Sequence, residues 1–140
     1  METEIELKFL LAPQHISKFK QLIKNELFDI ESKSTLSLSN AYYDTLESDL
    51  RSFDIGLRTR GSAFNDGSGW SEQTVKLAGQ DSGGLHQRPE HTVKLSDSPT
   101  TTVFADLNKF KEVAWPSGFN VDVIQSKLTK LFDTTFERSI

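Results

Sequence analysis

In the opening stretch METEIELKFL, Glu4, Glu6 and Lys8 occupy alternate positions, with Ile5, Leu7 and Phe9 between them. A period of two is that of a β-strand, so the charged side chains share one face and the apolar ones the other. Glutamate carboxylates are hard oxygen donors of the kind Mg²⁺ and Mn²⁺ prefer. At about 7 Å apart along the backbone, Glu4 and Glu6 could both reach one small hydrated cation or a pair of them. Lys8 lies one step beyond, placed to meet a phosphate that the cation also holds. An ordinary half-buried strand with its polar side to water explains the stretch on its own terms. The rest of the chain bears on which reading holds.

The same kind of face recurs. In DIGLRTR, Arg58 and Arg60 lie on one side and Ile55 and Leu57 on the other; in QTVKL, Thr74 and Lys76 oppose Val75 and Leu77. In LHQRPEHTVKL, Arg88, Glu90, Thr92 and Lys94 oppose Val93 and Leu95. Arg138 follows Phe136 in a similar setting, in a stretch too short to fix its face. Arginine brings a planar fork of donors that matches phosphate oxygens, and lysine a compact positive charge. Gathering such cations inside a fold without partners is costly in desolvation. A polyanion with metal ions would balance them. If the strands close into a barrel with these charged faces inward, the apolar faces point outward, where helices could cover them.

The elements that would position these residues follow from local patterning. APQHISKFKQLIKNELF reads as a helix, with Pro13 in its first turn and Ile16, Phe19, Leu22, Ile23 and Leu27 forming a stripe. Phe28 to Thr45 reads as a strand that Tyr43 and Asp44 close, followed by a short helix or turn in LESDLRSF. GSAFNDGSGW reads as a hairpin loop, SEQTVKLAG as a strand, QDSGG as a turn and LHQRPEHTVKLS as a longer strand. Pro89 places part of that last strand at an edge, a bulge or an unpaired site. SPTTTVFADLNKF and NVDVIQSKLTKLF read as helices separated by WPSG, and TTFERSI as a strand. The order of elements reads as α+β: an antiparallel α+β fold or an antiparallel β-barrel with helices packed outside.

Composition narrows the function classes. At 140 residues with 26% charged and 36% hydrophobic residues, the chain is sized and composed as one folded domain. The net charge of −4 argues against broad nucleic-acid binding, though not against a local basic cluster. No apolar run approaches the ~20 residues of a membrane span, and the acidic start does not read as a signal peptide. The chain has no cysteine, hence no disulfide framework or thiolate site. A cytoplasmic protein is expected. His86 and His91 are separated by an odd number of residues, which in one strand sends them to opposite faces and argues against a zinc site; His15 reads as solvated or packing. Neither a Walker A nor a Gly-x-Ser-x-Gly motif is present.

Taken in order, EIELK, YYDT, GLRTR, TVK and GLHQRPE resemble the motifs of the CYTH, or triphosphate tunnel metalloenzyme, superfamily, over nearly the whole chain. GLHQRPEHTVKLS with EVAWPSG is similar to the N-terminal domain of bacterial inorganic triphosphatases that carry a helical CHAD domain behind it. The resemblance implies hydrolysis of tripolyphosphate to pyrophosphate and phosphate with Mg²⁺ or Mn²⁺. It makes Glu4 and Glu6 metal ligands and Glu90 a further group holding a cation or ordering water. Lys8 becomes a phosphate contact that also positions the attacking water. Arg58, Arg60, Lys76, Arg88 and Arg138 become phosphate-binding residues, with Lys94 at the tunnel rim. Thr92 departs from the pattern, standing where many members have another glutamate. The family barrel also continues beyond FERSI, so residues 1–140 are expected to be a truncated domain, poorly active alone and open to pairing with a second copy along its edge. Alternatives are a polyphosphate-binding module without turnover, and a hydrolase of nucleotide or other organic triphosphates or an adenylate cyclase of the same superfamily.

Overall fold

Among the described residues, alternating apolar and polar positions give seven strands: β1 (Glu2–Leu7), β2 (Thr35–Asp44), β3 (Gly56–Ala63), β4 (Gly69–Lys76), β5 (Gln80–Ser82), β6 (Leu85–Ser96) and β7 (Thr129–Ser139). The computed structural model describes residues 2–7, 10–24, 35–99 and 103–139. The strands pair in the order β1-β6-β4-β3-β2-β7, with β5 added on β6. Every pairing is antiparallel. Among the described residues β1 and β7 are the two ends of this order, so the sheet is open rather than closed into a ring.

The loop expected over GSAFNDGSGW is shorter than the sequence implies, because β3 runs on through Ala63 and β4 already begins at Gly69. Asp66 accepts hydrogen bonds from the Ser68 backbone and hydroxyl and so closes the remaining turn. A Cβ at Gly69 would fall 1.8 Å from the Ser62 carbonyl oxygen, so only glycine permits that approach. The expected turn QDSGG contains the short β5, with the reversal confined to Gly83 and Gly84.

The core lies on the outer, apolar face of the sheet. Ala41, Tyr43, Leu57 and Val75 meet Leu50 of α2 (Asp49–Ser52), Ile124 of α3 (Val121–Lys127), and Leu107 and Phe110 of the connecting segment. Full burial of a residue such as Leu50 or Leu107 contributes about 1.5–3 kcal/mol. This outer layer, rather than the charged face, therefore holds the sheet in shape. Asp44 organises α2: its carboxylate accepts from the backbone N–H groups of Thr45, Leu50 and Arg51.

Two expected helices are corrected. SPTTTVFADLNKF forms only a single 3₁₀ turn, Leu107–Lys109, within its described part. The buried Gln73 side chain takes both the N–H and the C=O of Asp106, at 2.9 Å each. Gln125 does the same for the Leu107 N–H and the Ala105 C=O, at 2.7 and 3.0 Å. These side-chain bonds hold Asp106 in an extended conformation (φ −131°, ψ 104°), and coiling begins only with the Lys109 N–H donating to its carbonyl at 3.1 Å. In NVDVIQSKLTKLF the helix stops at Lys127, and Thr129 starts β7, because pairing along β2 overrides local preference. The N-terminal helix expected from its apolar stripe is α1 (Ile16–Lys24), preceded by a 3₁₀ turn at Pro13–His15. Ile16 and Phe19 remain 42% and 48% exposed, and neither belongs to the core on the outer face. Leu27 and the start of the strand expected from Phe28 fall outside the described residues.

Candidate active site

Residues directly opposite across antiparallel strands share a face, so register assembles the site. Glu4 lies opposite Arg88, and Lys76 opposite Glu90. Arg58 lies opposite both Thr74 and Tyr42, and Arg60 opposite Glu72 and Asn40. On the far side Leu38 faces Phe136 and Leu36 faces Arg138. This face runs across six strands, charged on all but β2, which contributes Leu38 and Tyr42, and borders a cavity of about 920 Å³. Glu4, Glu6, Arg58, Arg60, Lys76, Arg88, Glu90 and Arg138 all line it. Lys8 lies outside the described residues. Lys94 does not line the cavity; its ammonium pairs with Asp97.

The charges are neither evenly spread nor independently placed. Lys76 Nζ lies 2.6 Å from Glu4 Oε2 and 3.9 Å from Glu90 Oε2, so two carboxylates share one ammonium. Burial, together with the nearby Glu4 charge, raises the Glu90 carboxyl above its ordinary range against the opposing pull of Lys76. Thr92 Oγ1 bridges Thr74 Oγ1 at 3.0 Å and Glu90 Oε1 at 3.5 Å, so the position where an acidic ligand was expected instead steadies one. Burial and the adjacent Arg58 guanidinium weigh against the charge on Arg60 and lower its pKa. Arg60 is nonetheless fixed: its Nε donates to Asn40 Oδ1 at 2.5 Å and its guanidinium lies 5.6 Å from the Phe136 ring centre. Arg58 carries a buried Nε without a hydrogen-bond partner.

Arg88 is engaged differently. Its Nε donates to the Leu77 carbonyl at 2.8 Å and its Nη2 to the Asp54 carbonyl at 2.7 Å.

The donor chemistry of Glu4 and Glu90, two carboxylates drawn to one point by Lys76, suits a hard divalent cation. Among the described residues no group of three or more His, Cys, Asp or Glu side chains is gathered closely enough to hold an ion by itself. Two carboxylates could hold a divalent cation there only together with substrate oxygens and water.

A family model described as the CYTH domain matches residues 2–140. The chain belongs to the CYTH domain family. An inorganic triphosphatase from Haemophilus influenzae is 31% identical over 141 residues, which cover 99% of this chain and 35% of that protein. The chain therefore spans about a third of the length of this curated relative. A solved structure from Hippeastrum, described as an adenylyl cyclase candidate with a dominant triphosphatase activity, shares the fold with a TM-score of 0.64. It is 18% identical, and the match covers 99% of this chain and 66% of that one. Among the described residues no helix is long and apolar enough to cross a membrane.

Several residues of this CYTH cavity escaped the sequence reading. Glu72 was within reach of it, lying two steps before Thr74 on the charged side of β4. Tyr42, and Asn40 that holds Arg60 from behind the wall, carried no such signal, because SLSNAYY has no charged residue to mark a face. Tyr43, by contrast, points to the outer core, where its hydroxyl meets Thr59 Oγ1 at 3.2 Å. His86 shares the face of Glu6, and His91 is buried on the opposite one, as their odd separation implies.

Proposed function

We propose that this CYTH domain takes a linear inorganic triphosphate into the cavity and, with a divalent cation, hydrolyses its terminal phosphoanhydride bond to pyrophosphate and phosphate. The observation that carries the reading is convergence: Arg58, Arg60, Lys76 and Arg138 reach one cavity from three strands, with Glu4 and Glu90 beside them. Phosphoryl transfer asks a protein mainly for positioning and charge neutralisation. Arg58 and Arg60 would present their forks to phosphate oxygens, the unpartnered Arg58 Nε among the donors. Lys76 and Arg138 would hold the two ends of the anion, and Lys8 would contact the terminal phosphate and position the attacking water. Attack of that water on the terminal phosphorus breaks its bond to the bridging oxygen, whose new charge the arginines take up. Glu4 and Glu90, with Glu6 nearby in the cavity wall, would hold Mg²⁺ or Mn²⁺, which supplies charge neutralisation when bound.

A second reading has its own observation. Tyr42 and Phe136 form part of the cavity wall, and Phe132 stacks on Tyr42 at 4.9 Å between ring centres. These faces suit the aromatic head of an organic triphosphate.

The deciding experiment is phosphate release by the complete gene product from tripolyphosphate and from nucleoside triphosphates, with Mg²⁺ and with chelator. Metal-dependent release from tripolyphosphate, lost in Glu4→Gln/Glu6→Gln, supports the first reading. Faster release from the organic substrates supports the second. Tight tripolyphosphate binding without release under any metal would make this a binding module.

A further inference from the structure

Pro89 sits opposite Leu77 where the β4 pairing of β6 ends, and the Leu77 N–H donates to the Pro89 carbonyl at 2.9 Å. Between two residues paired in this way the second bond runs in the opposite direction, from the N–H of residue 89 to the carbonyl of Leu77. Proline has no N–H. Arg88 Nε donates to that carbonyl in its place. Arg88 Nη2 then reaches the Asp54 carbonyl, and the Lys76 carbonyl at 3.4 Å, tying β6 both to the end of β4 and to the turn before β3. The chain leaving β4 presses closely on this grip: a Cβ at Gly79 would lie 1.9 Å from the Gln87 carbonyl oxygen and 2.7 Å from Arg88 Cγ.

We infer that Arg88 is a positioning residue rather than a phosphate ligand, its guanidinium substituting for the hydrogen bond that Pro89 cannot donate. The Nε–Nη2 edge, one of the edges able to take phosphate bidentately, is filled by backbone carbonyls. What it positions is Lys76. Leu77 follows Lys76 directly, so slack at the Leu77 carbonyl becomes slack at the ammonium that Glu4 and Glu90 share. The effect on turnover rests on the hydrolytic reading above; the clamp itself does not.

The test compares Arg88→Gln, Arg88→Lys, Pro89→Ala and Arg88→Gln/Pro89→Ala in the complete gene product, by thermal midpoint and by kcat and KM for tripolyphosphate. Lysine keeps the charge but not the planar fork. Both Arg88 variants are therefore expected to lose about 4 °C in midpoint. Their kcat should fall about tenfold or more while KM moves less than about threefold. Alanine at 89 restores an N–H, so the double variant recovers a large part of both losses relative to its singles. Wild-type behaviour of Arg88→Lys, or a raised KM with kcat kept, would make Arg88 a phosphate ligand and overturn the inference. Absence of recovery in the double variant would overturn it too. If the wild-type protein releases no phosphate, the hydrolytic reading fails, and the midpoint cycle alone still decides the clamp.

Discussion

Lys76 Nζ meets Glu4 Oε2 at 2.6 Å although their strands are not neighbours: β6 lies between them, and the lysine reaches across it. One ammonium therefore fixes β4 against β1 and holds two carboxylates, Glu4 and Glu90, at the cavity wall. Removing it leaves the carboxylates facing each other and deprives the cavity of a cation. A charged hydrogen bond contributes about 1.5–3 kcal/mol. Lys76→Met should accordingly lower kcat/KM for tripolyphosphate about 10- to 100-fold, as initial-rate measurements would show. An unchanged kcat/KM would remove Lys76 from the phosphate-binding set.

If Glu4 holds the cation as proposed, its substitution tests metal binding. Its side chain keeps 29% of its exposure and glutamine can still accept from Lys76, so Glu4→Gln should lower the thermal midpoint only slightly. Loss of one negative oxygen donor should raise the Mg²⁺ concentration for half-maximal phosphate release about tenfold or more, on the scale of one charge-assisted contact. A Mg²⁺ titration of turnover reads this directly. A variant with wild-type metal dependence would show that the cation is held elsewhere.

What sequence could show here depended on where the signal was stored. Charged faces opposed by apolar ones marked β1, β3, β4 and most of β6 residue by residue, because such contrast survives in one dimension. The contribution of β2 did not, since Tyr42 joins the site only through its register opposite Arg58. Arg138 was identified by type, but its face is set by pairing with Leu36, over 100 residues earlier in the chain. The segment around Asp106 was misread for a related reason: the groups that keep it from coiling belong to Gln73, 33 positions away. Arg88 shows a subtler limit. Its place on the charged face was legible, but the neighbouring proline turns its guanidinium toward backbone.

The Gln73 contact gives a stability prediction independent of activity. Gln73 is fully buried and satisfies both backbone groups of Asp106. Gln73→Leu preserves bulk but strands the Asp106 N–H, whereas the Asp106 carbonyl keeps the hydrogen bond it accepts from the Lys109 N–H at 3.1 Å. At about 1–3 kcal/mol for an unsatisfied group, the expected cost is about 1–3 kcal/mol. Urea unfolding should show it as a lower midpoint with little change in slope. A loss below about 0.5 kcal/mol would mean that the segment finds other partners.

His91 supplies the pH dependence. It is 8% exposed on the apolar face, its Nε2 has no hydrogen-bond partner, and burial lowers its pKa from the ordinary 6.5. In the unfolded chain the imidazole takes up a proton as pH falls through about 6.5, whereas in the folded chain it resists until lower pH. The unfolded state thus binds more protons in that interval, and stability decreases as pH falls. Above pH 6.5 the contribution is fully present; below the folded-state value it is fully lost. Urea midpoints at pH 7.5 and pH 5.5 should therefore differ more in the wild type than in His91→Leu, which carries no titrating group there. Equal differences in the two proteins would show that His91 protonates as readily in the fold as in the unfolded chain.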